Sequence, residues 1–245
     1  MKPTASLAAL ATLFLGASAV AGPPLETDDP DTPGPNNWEI NVSSMLETRR
    51  DSWEFIPLVD VNYGVGGRIQ LKLKPRAVVL DDPRGARAGA GNLQLGVKWR
   101  FLDQASHGVS MSVYPQADFN PPGHSVKRGL VDDGHEFILP VQVLRAVGHT
   151  RVYAEAGYNW RENQTDEWVL GFAAEHPLSQ KFLLAGELRD KTERDFADHK
   201  LFFNAGFKWS FSTHVTLLAS AGRTLLELRG EGAAVFSYLG IQFTF

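Results

Sequence analysis

Between Trp38 and Phe245, apolar and polar residues alternate in short runs separated by turn-forming residues. Residues 91–101 are the clearest run. Leu93, Leu95, Val97, Trp99 and Phe101 alternate there with Gln94, Gly96, Lys98 and Arg100. A period of two sends the two sets to opposite faces of a strand, whereas a helix would mix them. The same reading gives twelve strands: Trp38–Glu47, Trp53–Val65, Arg68–Leu80, Gly91–Phe101, Val109–Phe119, Glu136–Ala146, Arg151–Arg161, Glu167–Glu175, Lys181–Lys191, Leu201–Phe211, Val215–Thr224 and Ala233–Phe245. Pro57, Pro75, Pro115 and Pro140 fall inside these strands. Each lacks a ladder donor, so bulges or shifted boundaries are expected there.

The connections alternate in length. Residues 66–67, 103–107, 147–150, 176–180 and 212–214 form one set of short turns. The other set is mostly longer, at 81–90, 120–135, 192–199 and 225–232, with short exceptions at 48–52 and 162–166. Short periplasmic turns opposite longer outer loops, with an even strand count, describe an antiparallel up-and-down transmembrane β-barrel. The tryptophans agree. Trp38, Trp99 and Trp209 fall at one rim, and Trp53, Trp160 and Trp168 at the other, all on the apolar face. Indoles settle at membrane interfaces, so these six form a predicted aromatic girdle. A soluble sandwich or lipocalin-like barrel is the competing reading, since alternation alone does not say which face is inside. It does not require the tryptophan sorting.

The N-terminal segment points to export. Residues 1–21 carry Lys2, an apolar run from Leu7 to Val20, and Ala19-Val20-Ala21. This is the pattern of a cleaved signal peptide, and the apolar run is short for a membrane span. Residues 22–36 are rich in proline and acid, which disfavours helix or central strand. They read as an N-terminal arm, periplasmic or tucked into the lumen, ahead of a barrel over 37–245. The chain has no cysteine, so disulfide frameworks and thiol chemistry are excluded. A net charge of −4 without a basic tract gives no reason to expect nucleic acid. Outer-membrane lipid and a small-molecule solute are the expected partners. So is the barrel-insertion machinery, through the strand that ends at Phe245.

Residues of the polar parity would line the lumen. Glu39, Asp60, Asn62, Lys72, Lys98, Arg100, Asp118 and Glu187 are the predicted lining and constriction residues. Two readings of their balanced charges stand side by side: a polar constriction that a solute passes, or an ion-pair network that holds the barrel's shape. Thr27, Asp28 and Asp29 mark the arm. Its acids, with Glu26 and Asp31, lack the spacing of a calcium loop, so no metal or cofactor is expected. A solvated arm, or one docked on lumen Lys and Arg, fits better. All seven histidines lie in predicted turns and loops. The nearest catalytic constellation is Asp132, Asp133 and His135 with Asp195, Asp198 and His199 on the outer side. It supplies the alternative of an Asp/His hydrolase, against the expectation of a non-enzyme.

Pro24-Leu25-Glu26-Thr27-Asp28-Asp29, followed by Gly34 and Trp38-Glu39, resembles the opening of the outer-membrane transporters labelled "MetA-pathway of phenol degradation". Pro57–Gly64 resembles that family's second strand, and Gly91–Leu102 its fourth. Ser220–Arg223 and the closing Leu239–Phe245 resemble its end. The resemblance spans most of the chain after residue 21. It implies passage of small aromatic or other apolar compounds across the outer membrane. A closed barrel serving as a binding or structural platform is a third possibility.

Overall fold

A computed structural model describes residues 22–227 and 234–245. The expected signal segment, Ala233 and most of the 225–232 loop lie outside the described residues.

The alternation becomes strands β1 (Trp38–Thr48), β2 (Trp53–Val65), β3 (Ile69–Asp81), β4 (Arg87–Leu102), β5 (Ser110–Val113), β6 (Gln116–Phe119), β7 (Glu136–Val147), β8 (Thr150–Arg161), β9 (Glu167–Pro177), β10 (Phe182–Glu193), β11 (His199–Ser210), β12 (Val215–Glu227) and β13 (Val235–Thr244). A short helix, α1 (Gln104–His107), fills the turn after β4. Apart from β5 and β6, which do not pair with each other, every strand pairs antiparallel with its sequence neighbours, and β13 pairs with β1 to close the wall. β5 and β6 share one wall position, because β4 and β7 each pair with both. The result is a closed antiparallel barrel of twelve wall positions. Phe245 seals the seam: Trp38 N donates to the Phe245 carbonyl at 2.7 Å, and Phe245 N to the Trp38 carbonyl at 3.1 Å.

The four prolines behave differently from one another. Pro115 divides the predicted strand 109–119 in two, although the Val97 N–H still reaches the Pro115 carbonyl at 3.0 Å. A register shift separates Pro75 from Ala77. Pro57 and Pro140 shift no register, contrary to expectation: Pro57 stays opposite Ser44 and Pro140 opposite Gly157, although the β2–β3 pairing is interrupted at Ile56 and Pro57. Pro140 faces the β5–β6 break, where its carbonyl accepts from Tyr114 N at 3.0 Å. In an antiparallel strand a residue's N–H and C=O point the same way, so the missing donor falls where the neighbouring strand is already interrupted.

The faces are inverted relative to a protein dissolved in water. Val97 is 46% exposed and Trp99 52%, while Lys98 between them is 1% exposed. All six tryptophans lie exposed on the outward face. Buried charge with exposed aliphatic surface is the signature of a wall that meets acyl chains outside and polar groups inside.

Candidate functional site

The interior is where the polar parity converges. Glu39, Asn41, Asp60, Asn62, Lys98, Glu155, Glu175, Glu187 and Arg189 are all buried there. Each sits on a strand position that alternates with a lipid-facing apolar residue, so the wall itself fixes their direction. Of the predicted lining residues, Lys72, Arg100 and Asp118 also point inward, and all three keep some exposure. Asp60 lies 3.5 Å from Lys72, and Asp118 lies 3.1 Å from Arg76.

The arm runs through this interior. Leu25 packs with Leu144, Tyr153, Ala173 and Ala185 in an apolar cluster inside the wall. Beside it the Glu187 carboxylate accepts the Glu26 N–H at 2.9 Å and the Thr27 N–H at 2.7 Å. Asn204 holds the same carboxylate at 2.9 Å, and Ser220 donates to the Pro24 carbonyl at 2.8 Å. These contacts occupy backbone groups that an irregular segment would otherwise leave unpaired away from bulk water. Thr27 meets the wall where β9 carries Gly171; a Cβ there would overlap the Thr27 side chain.

Basic side chains then take the arm's acids. Lys98 Nζ contacts Asp28 Oδ1 at 3.0 Å, the Asp29 carbonyl at 2.6 Å and the Asp31 carbonyl at 3.2 Å. Its three donors are all spent on the arm, and the Tyr114 ring lies 4.7 Å from its charge. Arg100 reaches Asp31 at 3.0 Å. Arg151 bridges Asp29 at 2.5 Å and Asp31 at 2.6 Å, and holds Glu175 at 2.8 Å. Glu26 lies 3.7 Å from Arg189 and 3.5 Å from Lys191. All four carboxylates that might have held a hard cation are thus engaged by Lys or Arg.

The arm's titration follows from this setting. Burial opposes ionisation of Glu26 and Asp28, yet Lys191 and Arg189 hold Glu26, and Lys98 and Lys72 hold Asp28, below the ordinary carboxylate range. Asp29 goes the other way. Burial, with Asp31 close by, pushes it up to about 6 despite Arg151. Burial is the larger cause, and the charges of Asp31 and Glu175, which share Arg151 with it, add to the shift.

Sequence reasoning placed Arg151 in a strand without giving it a role. The signal was present, because Arg151 shares the parity of Glu155. Leu25 had no such signal, since its cluster is assembled from β7, β8, β9 and β10.

The proposed outer constellation is not brought together as a catalytic group. His199 Nδ1 lies 2.9 Å from Asp190, an acid of β10, and the His199 backbone N–H is held by Asp198. His135 packs against the Phe119 ring, with its Nδ1 3.4 Å from the Asn120 backbone nitrogen. Asp132 lies 3.8 Å from Arg161, which also contacts Glu136 and Glu167. No group of three His, Cys, Asp or Glu among the described residues is arranged to hold a metal ion.

Several solved barrels resemble this one. An outer membrane channel from Pseudomonas putida F1 superposes with a TM-score of 0.74 at 12% identity, covering 89% of this chain and 98% of that one. The NanC porin gives 0.62 at 9% identity, covering 83% and 98%. The KdgM porin gives 0.58 at 8% identity, covering 84% and 99%. At such identities the likeness concerns the fold. No curated protein sequence matches the chain. Residues 51–238 match the family described as "Putative MetA-pathway of phenol degradation". That match spans most of the barrel wall, and the chain belongs to this family.

Proposed function

We propose that the chain is a passive outer-membrane channel kept narrow by its own N-terminal arm. The observation that carries this reading is the route of residues 22–36 through the lumen, where Lys98, Arg100, Arg151, Arg189 and Lys191 meet arm carboxylates. A shape-holding network needs only wall residues. Here the wall cations spend their bonds on a segment outside the wall, which leaves the bore wider once that segment withdraws.

The solute would be small. The family description points to aromatic compounds, and the polar interior favours those that carry a polar or ionised group. A charged wall of low dielectric stabilises such a group far better than a bare ring. Glu39, Asp60, Asn62, Lys72, Lys98, Arg100, Asp118 and Glu187 line the proposed path.

Planar-bilayer conductance of the mature chain and of a variant lacking 22–36 tests the reading. The deletion is expected to raise single-channel conductance several-fold. A barrel that stays sealed without its arm would instead favour the closed binding platform.

A further inference from the structure

Among the described residues, the interior ion pairs leave Lys74 unused. β3 turns Gln70, Lys72, Lys74 and Arg76 inward at alternate positions, about 7 Å apart along the strand. Lys72 has Asp60 at 3.5 Å and Arg76 has Asp118 at 3.1 Å. Both acids have further partners: Asn62 donates to Asp60 at 3.2 Å, and Gln94 to Asp118 at 2.7 Å. Lys74 stands between Lys72 and Arg76, opposite Gln94 in register. Among the described residues it has no hydrogen bond or ion pair. Two other interior acids are engaged elsewhere, Asp28 by Lys98 and Glu39 by Asn41.

Its height in the barrel matters. Gln70 is in register with Lys98, so the part of the arm that Lys98 holds lies on the periplasmic side of Lys74. Farther out, Leu130 of the 120–135 loop is buried beside Gly89, and Arg128 of that loop donates to the Ala88 carbonyl at 2.9 Å. Lys74 therefore lies between that part of the arm and an inward-folded outer loop, and it keeps partial exposure. Three cations in a row with two carboxylates make a surplus of one positive charge in a space where attraction is stronger than in water. An ammonium with free donors is matched by a monoanion that accepts hydrogen bonds.

We propose that Lys74, flanked by Lys72 and Arg76, binds the carboxylate of small monocarboxylate solutes inside the barrel. This deepens the channel reading and rests on it for the solute's route, while binding itself is measurable without transport.

The test uses the mature chain in detergent with benzoate as the probe, read by titration calorimetry. Benzyl alcohol serves as the uncharged ring and chloride as the bare anion. Benzoate is expected to bind saturably, and Lys74→Gln to weaken it about tenfold or more, the loss of one charge-assisted hydrogen bond. Lys74→Arg keeps binding. Lys181→Gln, the same charge change in an exposed periplasmic turn, leaves it unaltered. In bilayers Lys74→Gln also lowers anion-over-cation permeability. Absent benzoate binding, or binding indifferent to Lys74→Gln, overturns the proposal. Equal binding of benzyl alcohol, or displacement of benzoate by an equal concentration of chloride, overturns the assignment to carboxylates. Lys74-dependent binding in a barrel that never conducts, with or without its arm, sinks the channel reading and leaves the site standing.

Discussion

Gly64 of β2 and Gly34 of the arm lie so close that a Cβ on Gly64 would overlap the Gly34 carbonyl. Gly34 itself has a φ of 86°, a region that favours glycine. Next to this contact the Asn36 N–H reaches the Gly64 carbonyl at 2.9 Å, and the Gly64 N–H reaches the Asn37 carbonyl at 2.9 Å. The arm thus leaves the lumen by pressing its backbone against a strand position that has no side chain.

Gly64→Ala should therefore dislodge the arm while sparing the wall. Alanine is tolerated in a strand, and the overlap falls on arm backbone, at a cost of about 1–3 kcal/mol for overpacking. Limited proteolysis is expected to cut residues 22–36 faster in the variant, with heat-resistant folding of the barrel retained. Equal protection of the arm in both proteins would refute the close-contact argument.

Lys98 offers a stronger lever. Its ammonium serves three arm oxygens and is 1% exposed, whereas Asp28 keeps 18% of its side chain exposed. Lys98→Met removes the charge and leaves those oxygens short of a donor. Breaking a buried pair costs about 3–5 kcal/mol, and the partial exposure of Asp28 puts this one near the lower end. Open-channel occupancy in bilayers should rise more than for Arg100→Met, because Arg100 shares its charge with Asp103 at 2.8 Å. The reverse order would contradict the assignment of Lys98 as the principal anchor.

The wall was legible in the sequence because strand parity is a local property. Lys98 between Val97 and Trp99 announces its direction without any partner being known. Arg151 was equally readable from the parity of Glu155. The arm was not, because it has no period; its position depends on Glu187, Asn204 and Ser220, which are distant in sequence. Prolines show the same divide. Pro115 breaks its strand as local chemistry dictates. Pro140 does not break β7, because its missing donor faces the interruption that Pro115 makes. The bulge between Leu201 and Phe202 left no mark in the alternation.

The outward face yields a test of its own. Leu95 lies midway along β4 and is 41% exposed. In a lipid-facing wall, Leu95→Arg near the bilayer midplane should destabilise by about 2–4 kcal/mol. Urea unfolding from vesicles measures this. A soluble barrel with the same strands would accept arginine at an exposed site almost without loss, so a change below about 0.5 kcal/mol would argue against membrane burial of this face.

Acid should act on the arm in two opposed ways. Glu26 and Asp28 are held below their ordinary range, so they favour docking above that range and stop doing so as pH falls through their depressed values. Asp29 is raised from 3.8 to about 6, so the docked arm holds this proton more tightly than the free arm. Its contribution is full below its ordinary value and declines as pH climbs through the raised one. Closure should then be tightest at about pH 4–5, loosening below it and again towards neutrality. Asp29→Asn removes only the upper limb: closed-state occupancy becomes flat from about pH 5 to 7 while the opening in stronger acid remains. Single-channel recordings across this range decide the matter. An upper limb that persists in Asp29→Asn would assign it to another group and exclude the burial of Asp29 beside Asp31 and Glu175 as its source.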